Sequence, residues 1–148
     1  MSKIVYYLYA LASTLSKVNI PFLPKIIQII IRLVFGCYIP YTAQIGKNTV
    51  LGYGGLGIVI HARCVIGENC VIGPGVTLGG TSHKYEVPKL GNNVLVGPGA
   101  KVLGPVKVGS NVVIGANAVV TKDIADNTLV GGIPAKIIKE NIDIKDYM

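Results

Sequence analysis

Residues 59–79 read Val59-Ile-His-Ala-Arg-Cys-Val-Ile66-Gly-Glu-Asn-Cys-Val-Ile72-Gly-Pro-Gly-Val-Thr-Leu78-Gly79. An aliphatic residue recurs at 60, 66, 72 and 78, and Gly follows three of the four. A period of six is neither the 3.6 of a helix nor the 2 of a lone strand. It describes one short strand and one turn per unit, with Gly where the backbone must run tightly. Three such units make a triangular coil of about 18 residues, and successive coils stack their aliphatic residues into columns.

The register extends both ways from this stretch, through Ile45 and Leu51 upstream and Leu90, Val96, Val102, Val108, Ile114 and Val120 downstream. Three columns are therefore expected. One holds Ile60, Leu78, Val102 and Val120, the second Ile45, Ile66, Leu90 and Val108, and the third Leu51, Ile72, Val96 and Ile114. The period breaks twice. Leu51 and Ile60 are nine apart, so Tyr53-Gly-Gly-Leu-Gly57 must bulge from a corner, and Leu78 and Leu90 are twelve apart, so Thr81 to Pro88 must form an extruded loop. Loops on a rigid scaffold are the usual place for chemistry.

Residues 1–36 differ in kind. Positions 3–17 and 24–35 read as two short helices separated by the breakers Pro21 and Pro24. The second is too apolar for an ordinary solvent-facing helix, yet too short and too interrupted by Lys25 and Arg32 to span a bilayer. It either packs on the repeat domain or a sister subunit, or lies as a basic interfacial helix on the membrane. The chain thus divides into a helical segment 1–36, a β-helix 37–133, and a C-terminal cap and tail 134–148. The opening segment faintly resembles a signal peptide, but it holds one early basic residue and several tyrosines, and we read it as part of the mature protein.

Half the residues are hydrophobic (51%) but only 7% are aromatic, so the core must be built from stacked Ile, Val, Leu and Ala. The net charge is +7, and no acid precedes Glu68. An anionic partner fits: a phosphate-rich cofactor, an acidic glycan or a membrane surface. Nucleic acid is excluded, because no Lys/Arg cluster with interleaved aromatics occurs. Three cysteines without metal spacing fit a reducing cytoplasm.

These residues resemble the hexapeptide-repeat acyltransferases over about 39–139. That resemblance implies a left-handed parallel β-helix, a homotrimer, and acetyl-CoA as co-substrate without a metal. Gly57-Ile-Val-Ile60, Val76-Thr-Leu-Gly-Gly-Thr81 and Gly99-Ala-Lys-Val-Leu-Gly104 look like serine acetyltransferase, while Ala116 to Asp123 and Gly132-Ile-Pro-Ala-Lys136 resemble the acetyl-CoA-binding end of the superfamily. One departure stands out. Serine acetyltransferases carry an Asp-His pair at the corner before Gly-Ile-Val, and here those positions are Gly52 and Tyr53; a further Asp one coil earlier is matched by Tyr38. In this respect the chain looks more like acetyltransferases of surface-polysaccharide pathways.

Acetyl transfer to a hydroxyl needs a base of near-neutral pKa and donors for the developing oxyanion. The chain has two histidines, His61 and His83. His83 lies in the extruded loop, where the resembling galactoside and maltose acetyltransferases place their base. His61 replaces the usual Gly after a column residue, and stacking puts it beneath Gly79, where that loop leaves. Each is a candidate base, and both are expected to border one cleft. Tyr53 is a candidate to orient a histidine or a sugar hydroxyl. For the cofactor, Gly97, Gly99, Ala116, Thr121 and Lys122 match positions along the pantetheine arm, and Lys122, Lys136 and Lys139 match positions that meet nucleotide phosphates, as point charges suited to anions.

The leading expectation is a cytoplasmic O-acetyltransferase acting on a sugar or glycan hydroxyl, with a lipid-linked precursor at the inner membrane face as one such acceptor. Serine acetylation with a substitute base is the alternative, and an amino-sugar acceptor would use the same base. A zinc carbonic anhydrase on this fold requires three histidines per site, more than this chain has. A non-catalytic β-helix would leave the Thr121-Lys122 and Lys136 pattern without a purpose.

Overall fold

A computed structural model describes residues 2–148. Two helices open the chain, α1 (Ser2–Lys17) and α2 (Leu23–Phe35), within a residue of their expected spans. Pro24 sits in the first turn of α2, where a missing N–H is harmless, and Gly36 ends the helix in the left-handed conformation. Val5, Tyr9 and Ala12 of α1 are buried against the first coil. The Tyr9 hydroxyl donates to the Ala43 carbonyl and accepts from the Ile45 N–H at 3.0 Å, so the first coil's open edge is closed by a side chain. That is the N-terminal cap a solenoid requires.

Among the described residues fourteen strands follow. The first seven are β1 (Gln44–Ile45), β2 (Val50–Leu51), β3 (Val59–Ile60), β4 (Val65–Ile66), β5 (Val71–Ile72), β6 (Thr77–Gly79) and β7 (Lys89–Leu90). The rest are β8 (Leu95–Val96), β9 (Lys101–Leu103), β10 (Lys107–Val108), β11 (Val113–Ile114), β12 (Val119–Val120), β13 (Thr128–Gly131) and β14 (Lys136–Glu140). They form three sheets, the faces of a prism. The first is β1-β4-β7-β10, the second β2-β5-β8-β11-β13-β14, and the third β3-β6-β9-β12. All pairings are parallel except β13 with β14, a hairpin that closes the C-terminal end.

Each expected column lies along one sheet: Ile45-Ile66-Leu90-Val108, Leu51-Ile72-Val96-Ile114 and Ile60-Leu78-Val102-Val120 pair residue for residue. Strands of two or three residues persist because each backbone group bonds to the coils above and below, and each column side chain is removed from water. Leu51, Ile60, Ile72, Leu78, Val102 and Ile114 have no exposed surface. Burying one such side chain contributes about 1.5–3 kcal/mol. A second inward set sits two positions before the columns and includes Ile58, Cys64, Cys70, Val76, Val94, Ala100, Val112 and Ala118, all fully buried. Several of these are small because three faces converge at the corners.

The glycines after column residues serve close approach rather than unusual φ. A Cβ on Gly97 would lie 2.6 Å from the Ala116 backbone nitrogen, and one on Gly73 would lie 2.7 Å from that of Pro98. The left-handed turn residue at the first corner, between first and second sheets, is asparagine: 48, 69, 93, 111 and 127. Their amides form ladders, with Asn93 donating to Asn111 and Asn111 to Asn127, each at 3.0 Å. Asn tolerates this conformation and can satisfy its side chain locally.

Candidate functional site

The third corner, between third and first sheets, departs from this economy. After the column residues there stand His61, Gly79, Leu103 and Thr121, so three of the four carry side chains. His61 has room because the next coil leaves this corner as the loop 80–88. A Cβ on Gly80 would lie 3.7 Å from His61 Cδ2 and 3.8 Å from Nε2, which places the imidazole under the start of the loop.

His61 Nδ1 accepts the Arg63 backbone N–H at 3.2 Å. A nitrogen that accepts carries no proton, so neutral His61 holds its proton on Nε2 and presents a donor toward the loop. Arg63 also reaches outward. Its guanidinium donates to the Tyr85 carbonyl at 2.6 Å and lies 4.1 Å from the Tyr85 ring centroid. One residue therefore fixes the tautomer of His61 through its backbone and clamps the histidine-bearing loop through its side chain. Val87 and Pro88, at the end of the loop, are buried, and Glu86 pairs with Lys89 at 3.2 Å. His83 stands exposed in the loop with φ 64°.

Tyr53 lies at the second corner, between second and third sheets, in the bulge Gly52–Gly55, and is 85% exposed. Within one chain it stands at the opposite end of β3 from His61, and the structure does not join the two. Tyr53 and His83 nevertheless share a property. Among the described non-glycine residues with positive φ, all are Asn except Phe22, Tyr53 and His83. Holding a bulky residue there costs about 1–2 kcal/mol, and such strain concentrates at functional sites.

The outer surface of the third sheet joins these two corners. Tyr38, Val59, Thr77, Lys101 and Val119 stack along it, one per coil. Lys101 is half-buried, and its Nζ donates to the Gly75 carbonyl at 2.6 Å. Neither Arg63 nor Lys101 emerged as a candidate from the sequence, although Lys101 sits inside the quoted Gly99-Ala-Lys-Val motif.

The candidate cofactor residues gather toward the C-terminal end. Exposed Thr121 and Lys122 follow β12 at the third corner. The turn 132–135 crosses above the third sheet: Val119 N–H donates to Gly132 at 3.0 Å, and Ala135 N–H donates to Val119 at 2.8 Å. This carries Lys136 to the edge of the same surface. Lys139 lies farther along β14, paired with Leu129. Ala116 is exposed at the second corner, whereas Gly97 is buried and its lack of a side chain is accounted for by the coil above it. Gly99, with φ 72°, meets the Asn117 side chain in the same way.

A groove of about 860 Å³ lies between α1 and the first coils, and no candidate residue lines it. A smaller cleft of about 250 Å³ lies at the trailing end of the histidine loop, between Glu86 to Lys89 and Pro105 to Lys107. The three thiols play no part in either. Burial pushes Cys37 and Cys64 up to about 11 and raises Cys70 as well. Among the described residues no group of His, Cys, Asp and Glu gathers as a metal site, and no helix is long and apolar enough to cross a membrane.

Residues 88–122 match the bacterial transferase hexapeptide family and residues 57–82 the hexapeptide repeat of succinyl-transferase. A serine acetyltransferase of Synechococcus elongatus is 39% identical over 132 residues, covering 88% of this chain and 54% of the relative. One from Staphylococcus aureus is 44% identical over 119 residues, covering 79% and 55%. The chain thus spans about half the length of these relatives. A Brucella abortus serine acetyltransferase solved in complex with coenzyme A superposes with TM-score 0.84 at 33% identity, covering 91% of this chain and 54% of that one. The solenoid is accordingly the left-handed form.

Proposed function

From the premise that this chain belongs to the hexapeptide-repeat transferases, we propose that it transfers acetyl from acetyl-CoA to a hydroxyl group, with L-serine as the leading acceptor. The likeness to serine acetyltransferases supports the acceptor, and nothing in it supports the glycan that the sequence led us to expect. A glycan hydroxyl remains the second reading on one observation: Gly52 and Tyr53 stand where serine acetyltransferases carry Asp-His.

The single observation that carries the catalytic reading is the third corner, where Arg63 ties His61 and the His83 loop together. His83 is the base in this reading. Its imidazole takes the acceptor proton as the acceptor oxygen attacks the thioester carbonyl, then returns that proton to the departing sulfur as the C–S bond breaks. His61, held as the Nε2–H tautomer, donates a hydrogen bond to the acceptor or to the oxyanion. Lys122 and Lys136 meet the nucleotide phosphates as point charges.

The unit is a homotrimer. Tyr53 at the second corner and the histidines at the third lie at opposite ends of β3, and packing prisms side by side brings the second corner of one copy toward the third corner of the next. Tyr53 then completes a neighbour's site.

Thiol release from acetyl-CoA is the test, run with L-serine, hexoses, amino-sugars and nucleotide-sugars. Turnover with L-serine supports the leading acceptor. Turnover with a sugar alone replaces it with the glycan reading. No release with any acceptor, together with no acetyl-CoA binding by calorimetry, overturns the enzyme.

A further inference from the structure

The helical segment keeps an apolar surface that the solenoid does not use. In α2, Pro24, Ile27 and Ile31 face inward. Ile26, Ile29, Ile30, Leu33 and Val34 face out, with Leu33 79% exposed. On a helical wheel these five form one continuous arc, and Lys25 and Arg32 border it. Phe22, just before the helix, is 78% exposed and held at φ 67°. Its backbone caps α2, with its carbonyl accepting the Ile26 N–H at 3.0 Å, but its ring is left to water.

Charge decides what covers this face. The first 67 residues hold six cations and no acid, nearly the whole net charge of +7, and Lys3, Lys17, Lys25 and Arg32 are all exposed around the helices. A two-fold contact between copies would set this patch against itself, mainly cation against cation, although Glu68 stands near Tyr6 of α1. Five of the seven acids lie from Asp123 onward, at the other end of the prism, so the contact that would pair them with these cations, prisms stacked end to end along their axis, would run on into filaments rather than close. A helix of 13 residues spans about 20 Å, short of the roughly 30 Å hydrocarbon core, so it would lie in the interface rather than cross it.

We propose that α1 and α2 dock this protein on an anionic lipid surface, with Phe22 and the outer arc of α2 inserted at the headgroup boundary and Lys25 and Arg32 at the phosphates. This does not depend on the acetyl-transfer reading, because it needs no substrate.

The full chain is sedimented with vesicles of phosphatidylglycerol and phosphatidylcholine, and with phosphatidylcholine alone. Binding to the anionic vesicles, about tenfold or more stronger than to the zwitterionic ones, is expected. The double variant Ile29→Glu with Leu33→Glu should lower that partition about tenfold or more, since both residues already face solvent. Lys25→Glu with Arg32→Glu should abolish the preference for anionic lipid. The chain has no Trp, so Phe22→Trp supplies a lone reporter whose emission should shift to the blue on vesicles. Absence of binding to anionic vesicles overturns the proposal. So does light scattering that shows a larger assembly which Ile29→Glu with Leu33→Glu splits, while neither protein binds lipid: the face would then join copies of this chain.

Discussion

Arg63→Ala tests whether the clamp on the histidine loop serves turnover rather than folding. The guanidinium makes one bond to the Tyr85 carbonyl at 2.6 Å and stacks on the Tyr85 ring at 4.1 Å. Both contacts are at the surface, so the bond contributes about 1 kcal/mol and the stack about 0.5–1 kcal/mol. Their loss shifts the balance between docked and released loop by about 1.5–2 kcal/mol, roughly 10–30-fold. That is the ceiling on the expected fall in kcat/KM for the acceptor. Melting should move by no more than about 3–8 °C, the shift that about 1.5–2 kcal/mol gives in a chain of this size, because the buried columns are untouched. Amide exchange at 81–86 should quicken by a factor similar to the fall in activity. Arg63→Lys keeps the charge but loses the planar stack, and should fall between. The Arg63 N–H, and with it the His61 tautomer, survives both substitutions. Full activity in Arg63→Ala would refute the reasoning, as would an activity loss matched by general unfolding.

His83→Ala should lower kcat about 10²–10⁴-fold with melting unchanged, and added imidazole should restore part of it. His61→Ala should lose less, about 10–10³-fold, without imidazole rescue, because a donor rather than a base is removed; equal rescue in both would contradict the assignment. Lys122→Ala and Lys136→Ala should each raise KM for acetyl-CoA roughly 3–10-fold with kcat held, and the difference should shrink as salt rises. The buried thiols set an alkaline limit. Cys37 and Cys64 rise from an ordinary value of 9.0 to about 11, so the native state holds their protons more tightly than the unfolded chain does. Their contribution is intact below about pH 9 and is lost as pH rises toward 11, about 2–3 kcal/mol per thiol. Denaturant midpoints from pH 8 to 11 would show that decline, and replacing both residues with Ala or Val should flatten it.

Most of the fold was legible because a solenoid is a one-dimensional object. Each coil contacts only its neighbours, so a period of six and two interruptions suffice to assign every column residue and both protruding loops. The asparagine ladder was less legible. Asn48, Asn69, Asn93, Asn111 and Asn127 recur in phase with the columns, but their meaning depends on a left-handed φ three residues after each column position, which the second corner repeats with Gly75, Gly99 and Asn117. Cys64 and Cys70 were read by their redox chemistry, whereas their positions two before Ile66 and Ile72 make them small core residues at a converging corner.

The site was legible in its parts and not in its wiring. Spacing put His61 under the loop that carries His83, and the structure agrees, because that relation is again one of stacking. Spacing leaves both histidines as candidate bases, and our proposal for His83 draws on a feature that spacing does not show, the Arg63 N–H held by His61 Nδ1. Arg63 escaped notice because a lone arginine after an Ala has no signature; only the loop folding back over it gives its side chain a carbonyl and a ring to hold. Tyr53 shows the opposite limit. Its alignment with a catalytic histidine of the resembling enzymes made it a candidate to orient a histidine or a sugar hydroxyl, yet the corners are fixed by the period, and β3 lies between Tyr53 and His61. A single prism cannot close that distance without breaking the stacking that makes it a prism. In the homotrimer we propose, Tyr53 therefore serves the site of a neighbouring copy.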